Sequence, residues 1–192
     1  MWERINKYVY FISIMITDAW LWHDYYTGEK PWEQAVIILG LLGALIYEEI
    51  KDLRKGKDTD STLFHKFLEV LPYEGSISFI DCTDMSATHF DPEKLNDLRY
   101  FYYHWDDASH EFLDKSIEKR RKILWDLAEK YIMALVTNTV PTDDDLQTVP
   151  HEWKTEQPEL FKEVIDDFHN LAGQIVIAHQ EMIRYAKKKL KI

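Results

Sequence analysis

Two apolar stretches near the N-terminus constrain this chain more than any other feature. The first, YVYFISIMITDAWLW, runs from Tyr8 to Trp22 with Asp18 as its single charge, and the second, QAVIILGLLGALIY, runs from Gln34 to Tyr47 with none. The second is apolar on every side of a helix, which requires burial all round. As helices the two stretches would span only about 21–23 Å, against about 30 Å of hydrocarbon in a bilayer. Their length therefore leaves open a hairpin that is buried in a protein core.

The residues around the two stretches favour a membrane. Aromatic side chains cluster in the connecting segment and at the far ends, as they do at membrane interfaces. Basic residues flank the far ends, whereas the connecting segment has only Lys30. This charge distribution is typical of a hairpin whose ends both lie in the cytoplasm. Residues 1–50 are therefore predicted to form a two-helix transmembrane hairpin in the cell inner membrane, with membrane lipid as a partner and a soluble, buried hairpin as the alternative.

Small and polar residues in the hairpin are candidates for helix packing. Gly40 and Ala44 form a small-xxx-small pair, with Gly43 beside them, and such pairs let two helices approach closely. Asp18 could make a polar contact between helices or subunits, or simply extend toward the membrane interface. These four residues are the predicted oligomerisation site, and the chain is predicted to be a homo-oligomer.

The rest of the chain has the pattern of an all-α protein. A charged connector, residues 51–60, precedes a helical cytoplasmic domain over residues 61–192. Six glycines and six prolines are few for this length, and such scarcity of helix breakers favours helices. The predicted fold is thus an N-terminal two-helix transmembrane hairpin followed by an antiparallel helical bundle with long helices.

Local signals place several elements in that bundle. Asp91-Pro92-Glu93 combines an N-cap, a proline at the first helical position and an acid in the first turn, and so predicts a helix start. A long last helix is predicted from about Pro158 to about Lys189. Residues 76–80 alternate between apolar and polar without a partner strand, so they are predicted to be extended or in a loop. The segment 139–157, which is acidic and contains prolines, is predicted to be a long loop that contacts a partner.

Composition and motifs exclude several chemistries. The net charge is −11, whereas a nucleic-acid-binding protein normally presents a basic face. Glycine-rich nucleotide loops, CxxC and HExxH are all absent from the sequence. The single cysteine, Cys82, has no activating neighbour in sequence. The sequence therefore predicts no nucleic-acid partner and no cofactor, and it favours a chain without enzymatic activity.

Two Asp-x-x-His pairs are the alternative that involves a metal. Asp107 precedes His110 and Asp166 precedes His169 at the same spacing. Helix bundles hold two metals with related Glu-x-x-His pairs. Aspartate is the shorter ligand, and two such pairs among eight histidines are close to what chance produces. The main prediction is therefore that the chain has no metal site.

The segment Arg99-Tyr-Phe-Tyr-Tyr-His104 resembles the Arg-x4-His element of HEPN-type helical ribonucleases. The resemblance covers six residues and implies that Arg99 and His104 act on an RNA phosphodiester, across a dimer. It departs from the family where Tyr100 replaces the usual polar residue. Over residues 100–105, five aromatic residues in six positions cannot all face one core. Tyr100, Tyr102, Tyr103 and Trp105 are therefore predicted to contact a protein partner.

The overall layout resembles small bacterial membrane proteins in which two transmembrane helices precede a cytoplasmic domain, among them phage-defence and stress effectors. The segment TGEKPWE between two apolar stretches, followed by a charged connector, carries this resemblance. It implies a membrane-anchored sensor or effector that acts through oligomerisation in antiviral defence or stress. A soluble protein-interaction module and an HEPN-like ribonuclease are the alternatives.

Overall fold

The computed structural model describes residues 2–27, 32–86 and 89–192. The chain divides into two compact units, Met1–Gly56 and Lys57–Ile192. Nearly all regular structure is helical, with one pair of two-residue strands. The predicted all-α class is therefore confirmed.

Two long helices begin the chain. Helix α1 comprises Trp2–Thr27 and helix α2 comprises Trp32–Val70. The predicted connector, residues 51–60, is helical throughout and belongs to α2. Its Lys, Arg and Leu residues are good helix formers, and the single Gly56 costs only about 1 kcal/mol. The segment that connects the two apolar stretches, residues 23–33, is helical up to Thr27 and again from Trp32, and residues 28–31 lie outside the described residues.

The apolar stretches of these helices do not form membrane spans. Over the described residues, no helix is at once long enough and apolar enough to cross a bilayer. The apolar part of α2 is followed in the same helix by the charged segment Glu48–Asp52, and α1 contains Asp18. This finding overturns the predicted transmembrane hairpin over residues 1–50 and, with it, the predicted inner-membrane location with both termini cytoplasmic.

Over its described residues, the second unit adds five helices, three short helical turns and a small hairpin. In chain order these are a π-helical turn Tyr73–Ile77, α3 Ser78–Cys82, a 3₁₀ turn Pro92–Leu95, α4 Asn96–His104, a 3₁₀ turn Ala108–His110, α5 Lys115–Asn138, β1 Val140–Pro141, β2 Gln147–Thr148, α6 Trp153–Glu156 and α7 Pro158–Leu190. The strands pair antiparallel, with Val140 opposite Thr148. The predicted long last helix matches α7.

Sequence signals locate the start of the α4 region correctly. The Asp91 carboxylate accepts a hydrogen bond from the Glu93 N–H at 2.8 Å, as an N-cap should. By contrast, the prediction that residues 76–80 are extended is wrong, because this segment is helical. Tertiary hydrogen bonds hold it there: Ser76 N–H donates to the Asp97 carboxylate at 3.2 Å, and Ser76 Oγ accepts from Leu98 N–H at 3.2 Å.

Helices α5 and α7 run antiparallel along the core of the second unit. Lys189, near the end of α7, lies 3.3 Å from the Asp114 carboxylate that caps the start of α5. Midway along, the rings of Tyr131 and Phe168 pack edge to face at 5.7 Å. The buried face of α7 repeats at three- and four-residue intervals: Phe161, Val164, Ile165, Phe168, Ala172, Ile175, Val176, His179, Met182, Ala186 and Leu190. This periodicity is that of an amphipathic helix against one core.

Candidate interaction surfaces

The first unit leaves an unusually large amount of apolar side chain exposed. We call this set the N-terminal apolar surface. It consists of Phe11, Ile12, Met15, Ile16, Trp20, Trp22, Tyr25, Tyr26, Val36, Ile37, Leu39, Leu42, Ile46, Tyr47, Ile50 and Leu53. At roughly 100 Å² exposed for each large side chain, a few of them on one face already reach the few hundred Å² that a monomeric protein normally leaves in one apolar patch. Surfaces of this kind are typical of protein contacts.

The predicted oligomerisation residues lie on these helices. Asp18, Gly40 and Gly43 are exposed, and Ala44 is half-buried. A Cβ atom added at Gly40 or Gly43 would meet no described heavy atom within 4 Å. Within the described part of the chain, the two glycines are thus open to a partner. Their role in helix packing remains a prediction.

The predicted aromatic contact cluster divides between core and surface. Trp105 is fully buried, and the Tyr102 ring lies 5.3 Å from that of Trp125, whose Nε1 donates to the Tyr102 carbonyl at 2.9 Å. Burial raises the pKa of Tyr102 above its ordinary value. Tyr100 and Tyr103 remain 50% and 66% exposed. These two rings are the most exposed of the four, and Tyr102 is half-buried.

A cavity of about 300 Å³ lies beside Tyr103. Its lining comes from α4, α5 and β2: Arg99, Tyr103, Ile132, Leu135, Val136 and Gln147. Gln147 Oε1 is buried without a hydrogen-bond partner among the described residues. The structure thus brings the exposed tyrosine next to the segment 139–157, the other predicted contact element.

The two HEPN-like residues are held by separate partners. Arg99 Nη1 donates to the Pro92 carbonyl at 3.3 Å. The His104 ring stacks on Tyr100 at 4.2 Å, and its Nδ1 lies 3.0 Å from the Tyr100 carbonyl oxygen. The two side chains therefore engage different neighbours rather than one shared site.

The histidines of the two Asp-x-x-His pairs differ in which aspartate they contact. Asp107 caps a 3₁₀ turn, and its Oδ1 lies 2.9 Å from His110 Nδ1, while the His110 ring stacks on Trp105. The hydrogen bond from Ser109 lowers the pKa of Asp107. His169 pairs with Asp84 at 3.4 Å. Over residues 2–27, 32–86 and 89–192, no three His, Cys, Asp or Glu side chains group around a point that could hold a metal.

A buried ion pair lies within α5, between Glu118 and Arg121, and Arg121 also bonds the residue that ends α4. Arg121 donates to Glu118 through Nε and Nη2, the latter at 2.6 Å, and to the Trp105 carbonyl through Nη1. Glu118 also accepts from the Phe112 N–H at 3.0 Å. Burial raises the pKa of Glu118, but the hydrogen bonds from Arg121 and Phe112 outweigh it, so the pKa lies below its ordinary value. In the sequence, the only sign of this ion pair is the three-residue spacing of Glu118 and Arg121. Ordinary ion pairs on a helix surface have the same spacing.

His179 is a second buried polar group. Its Nε2 lies 2.8 Å from the Leu71 carbonyl oxygen, while Nδ1 is buried without a described partner. Burial lowers the pKa of His179, and this outweighs the opposing effects of the Leu71 carbonyl and of Glu74. The geometry is that of a neutral imidazole with its proton on Nε2.

The protonation of His179 predicts how stability depends on pH. Because its pKa is lower in the folded state, the unfolded chain binds the proton more readily. Above about pH 6.5, neutral His179 makes its full contribution to the free energy of unfolding. This contribution is lost as the pH falls below that value toward the pKa of His179 in the folded state. We expect the free energy of unfolding to fall between about pH 7.5 and about pH 5.5, and to fall less in His179→Gln.

Urea unfolding at several pH values measures this slope, with His65→Gln, an exposed histidine on α2, as the matched control. An equal slope in the wild type and His179→Gln would contradict the assignment of a buried neutral imidazole.

Comparisons with known proteins add no family to this description. No known protein family, no curated protein and no solved structure matches the chain. Functional inference therefore rests on the residues themselves. The function implied by the resemblance to two-helix effectors stays a prediction. The membrane location that the resemblance also implied is not retained.

Proposed function

We propose that this chain is a helical protein-interaction module that self-associates through the N-terminal apolar surface. The second unit, in this proposal, receives a protein partner at Tyr100 and Tyr103. The single observation that carries the proposal is the exposure of the large apolar side chains of α1 and of the first half of α2.

The size of the surface supports a stable complex. A specific interface buries about 800 Å² on each partner, which corresponds to about eight such side chains at roughly 100 Å² each. Each Å² of apolar surface removed from water contributes about 25 cal/mol. Association therefore has a strong driving force.

The charge distribution supports a second copy as the occupant. The chain carries a net charge of −11, so most faces of two copies repel each other. The segment from Val36 to Tyr47 contains no charged residue. Two copies that meet there place no like charges opposite one another. The rings of Trp22, Tyr25 and Tyr26 pack against one another, Trp22 stacked on Tyr26 and the other two pairs edge to face. They add contact area of the aromatic kind that is enriched at interfaces.

Charge insertion tests this proposal. Leu39 and Ile46 are 68% and 60% exposed and lie seven residues apart, on one face of α2. The double variant Leu39→Glu/Ile46→Glu should sediment as a monomer of 23.0 kDa, because burying an unpaired carboxylate costs several kcal/mol. The wild type should sediment as a larger species in a dilution series. Sedimentation velocity measures both.

The matched control is Val136→Glu/Ile177→Glu, which changes side chains that are 73% and 60% exposed in the second unit. This control should associate like the wild type. A monomeric wild type at tens of micromolar, or equal loss of association in both double variants, would contradict the proposal. So would flotation of the full chain with phosphatidylcholine vesicles that Leu39→Glu/Ile46→Glu abolishes.

A further inference from the structure

Two histidines distant in sequence meet at the surface of the second unit. His89 precedes α4, and His151 follows β2. Their Nε2 atoms lie 3.3 Å apart, with ring centroids at 5.4 Å and planes inclined by 40°. We infer that this pair is a chelating site for a divalent transition metal, with Zn²⁺ as the ion that fits best.

The distance between the nitrogens is the first argument. Zinc binds imidazole nitrogen at about 2.0–2.1 Å in tetrahedral geometry, which places two ligand nitrogens about 3.3–3.4 Å apart. The separation of the two Nε2 atoms matches this value. A direct hydrogen bond between the rings needs one ring to donate through Nε2 and the other to accept. Metal binding instead uses both Nε2 lone pairs, with each proton on Nδ1.

The backbone positions both rings before any metal binds. Phe90, next to His89, exchanges two hydrogen bonds with Gln147: the Phe90 N–H donates at 2.9 Å and its carbonyl accepts at 2.8 Å. The His151 carbonyl accepts from the Lys154 N–H at 3.1 Å as α6 begins. The pair is therefore built by tertiary contacts across the β1–β2 hairpin. Ligands held in this way lose little conformational freedom when the ion binds.

The donor set decides the class of ion. Two neutral imidazoles suit Zn²⁺, Cu²⁺ and Ni²⁺, whereas Mg²⁺ and Ca²⁺ prefer oxygen ligands. Both rings are exposed, so an ion can reach them from solvent. No third His, Cys, Asp or Glu side chain joins the two in the described chain. Water or an external donor would complete the coordination, and binding is therefore weaker than at a closed four-ligand site.

The bound ion would tie the segment before α4 to the hairpin. His151 belongs to the segment 139–157. In the same segment, Gln147 lines the cavity beside Tyr103. The inference itself rests on the histidine geometry and is independent of self-association through α1 and α2.

Calorimetric titration of the metal-free full chain with ZnCl₂, after removal of any affinity tag, tests the site. We expect one Zn²⁺ per chain, with affinity at least about tenfold lower in His89→Ala and in His151→Ala, since removing one of two ligands destroys the chelate. His65→Ala, which removes an exposed histidine of α2, should bind as the wild type does. Co²⁺ at the same site should give the intense visible absorption of a tetrahedral complex, and either variant should lose it.

Circular dichroism checks that the variants are folded. If an alanine variant unfolds, His89→Gln or His151→Gln, which preserves side-chain volume, replaces it with the same expected loss. Absence of Zn²⁺ binding by the wild type would overturn the inference. Equal affinity in the wild type and both variants would do so as well, because the ion would then lie elsewhere.

Discussion

Replacing Arg121 with methionine will lower the free energy of unfolding by about 3–5 kcal/mol, as breaking one half of a buried ion pair does. Arg121 is only 2% exposed and bonds both the Glu118 carboxylate and the Trp105 carbonyl. Without the guanidinium, Glu118 keeps the Phe112 N–H and Lys122 Nζ, which lies at 3.5 Å on the surface. Neither partner replaces a buried cation. Urea unfolding followed by circular dichroism measures the loss.

Two further variants make this result specific. Arg120→Met changes the neighbouring arginine, whose guanidinium lies 3.7 Å above the Tyr185 ring; we expect a loss of about 1 kcal/mol, the size of a partly exposed cation–π contact. The double variant Glu118→Leu/Arg121→Met should lose less than Arg121→Met alone, because it leaves no unpaired buried charge. Equal losses for Arg120→Met and Arg121→Met would show that the pair is not buried.

Truncating Phe67 to alanine will cost about 3–5 kcal/mol of unfolding free energy. The ring is fully buried at the centre of an aromatic cluster. Its centroid lies 5.8 Å from that of Phe101, 5.7 Å from that of Trp105 and 5.8 Å from that of His179. One side chain of α2 thus touches both α4 and α7, so its loss leaves a cavity where three helices meet. Thermal and urea unfolding measure the change.

Phe67→Leu is the control for volume and should cost less than about 1.5 kcal/mol. Tyr103→Ala, on the exposed face of α4, should change stability by at most about 0.5 kcal/mol. A small loss for Phe67→Ala would contradict the placement of this ring, and a large loss for Tyr103→Ala would mean that Tyr103 belongs to the core.

The elements predicted correctly are those with strong local signals. The helix start at Asp91 and the limits of α7 follow from capping residues, prolines and a regular apolar spacing. The segment 76–80 was mispredicted because its helix depends on hydrogen bonds to Asp97 and Leu98, more than twenty residues away. The helical course of residues 51–60 was missed because many charges resemble a linker, although the residues themselves are good helix formers.

The candidate sites were harder to predict for the same reason. The Nε2 pair of His89 and His151 joins residues 62 positions apart, and no local pattern marks it. Asp60 accepts from the N–H groups of Leu113 and Asp114 at 2.7 and 2.8 Å. These partners are more than fifty residues away, and no local pattern marks this contact either. The apolar stretches were predicted to require burial, whereas the structure leaves many of their large side chains exposed; burial against a second copy is the proposal that accounts for them. The charged residues at the ends of the apolar stretches were interpreted as membrane anchors. In the structure they belong to the same helices and limit the length of each helix's apolar part.

The most direct test of self-association measures how the thiol-labelling rate of a cysteine placed at position 46 depends on protein concentration. A Cys82→Ser background removes the single, exposed cysteine, and Ile46→Cys or Val136→Cys then introduces one thiol at a time. If the N-terminal apolar surface packs against a second copy, the thiol-labelling rate at position 46 falls as protein concentration rises, while the rate at position 136 stays constant. A rate at position 46 that is the same at every concentration would contradict self-association through this surface.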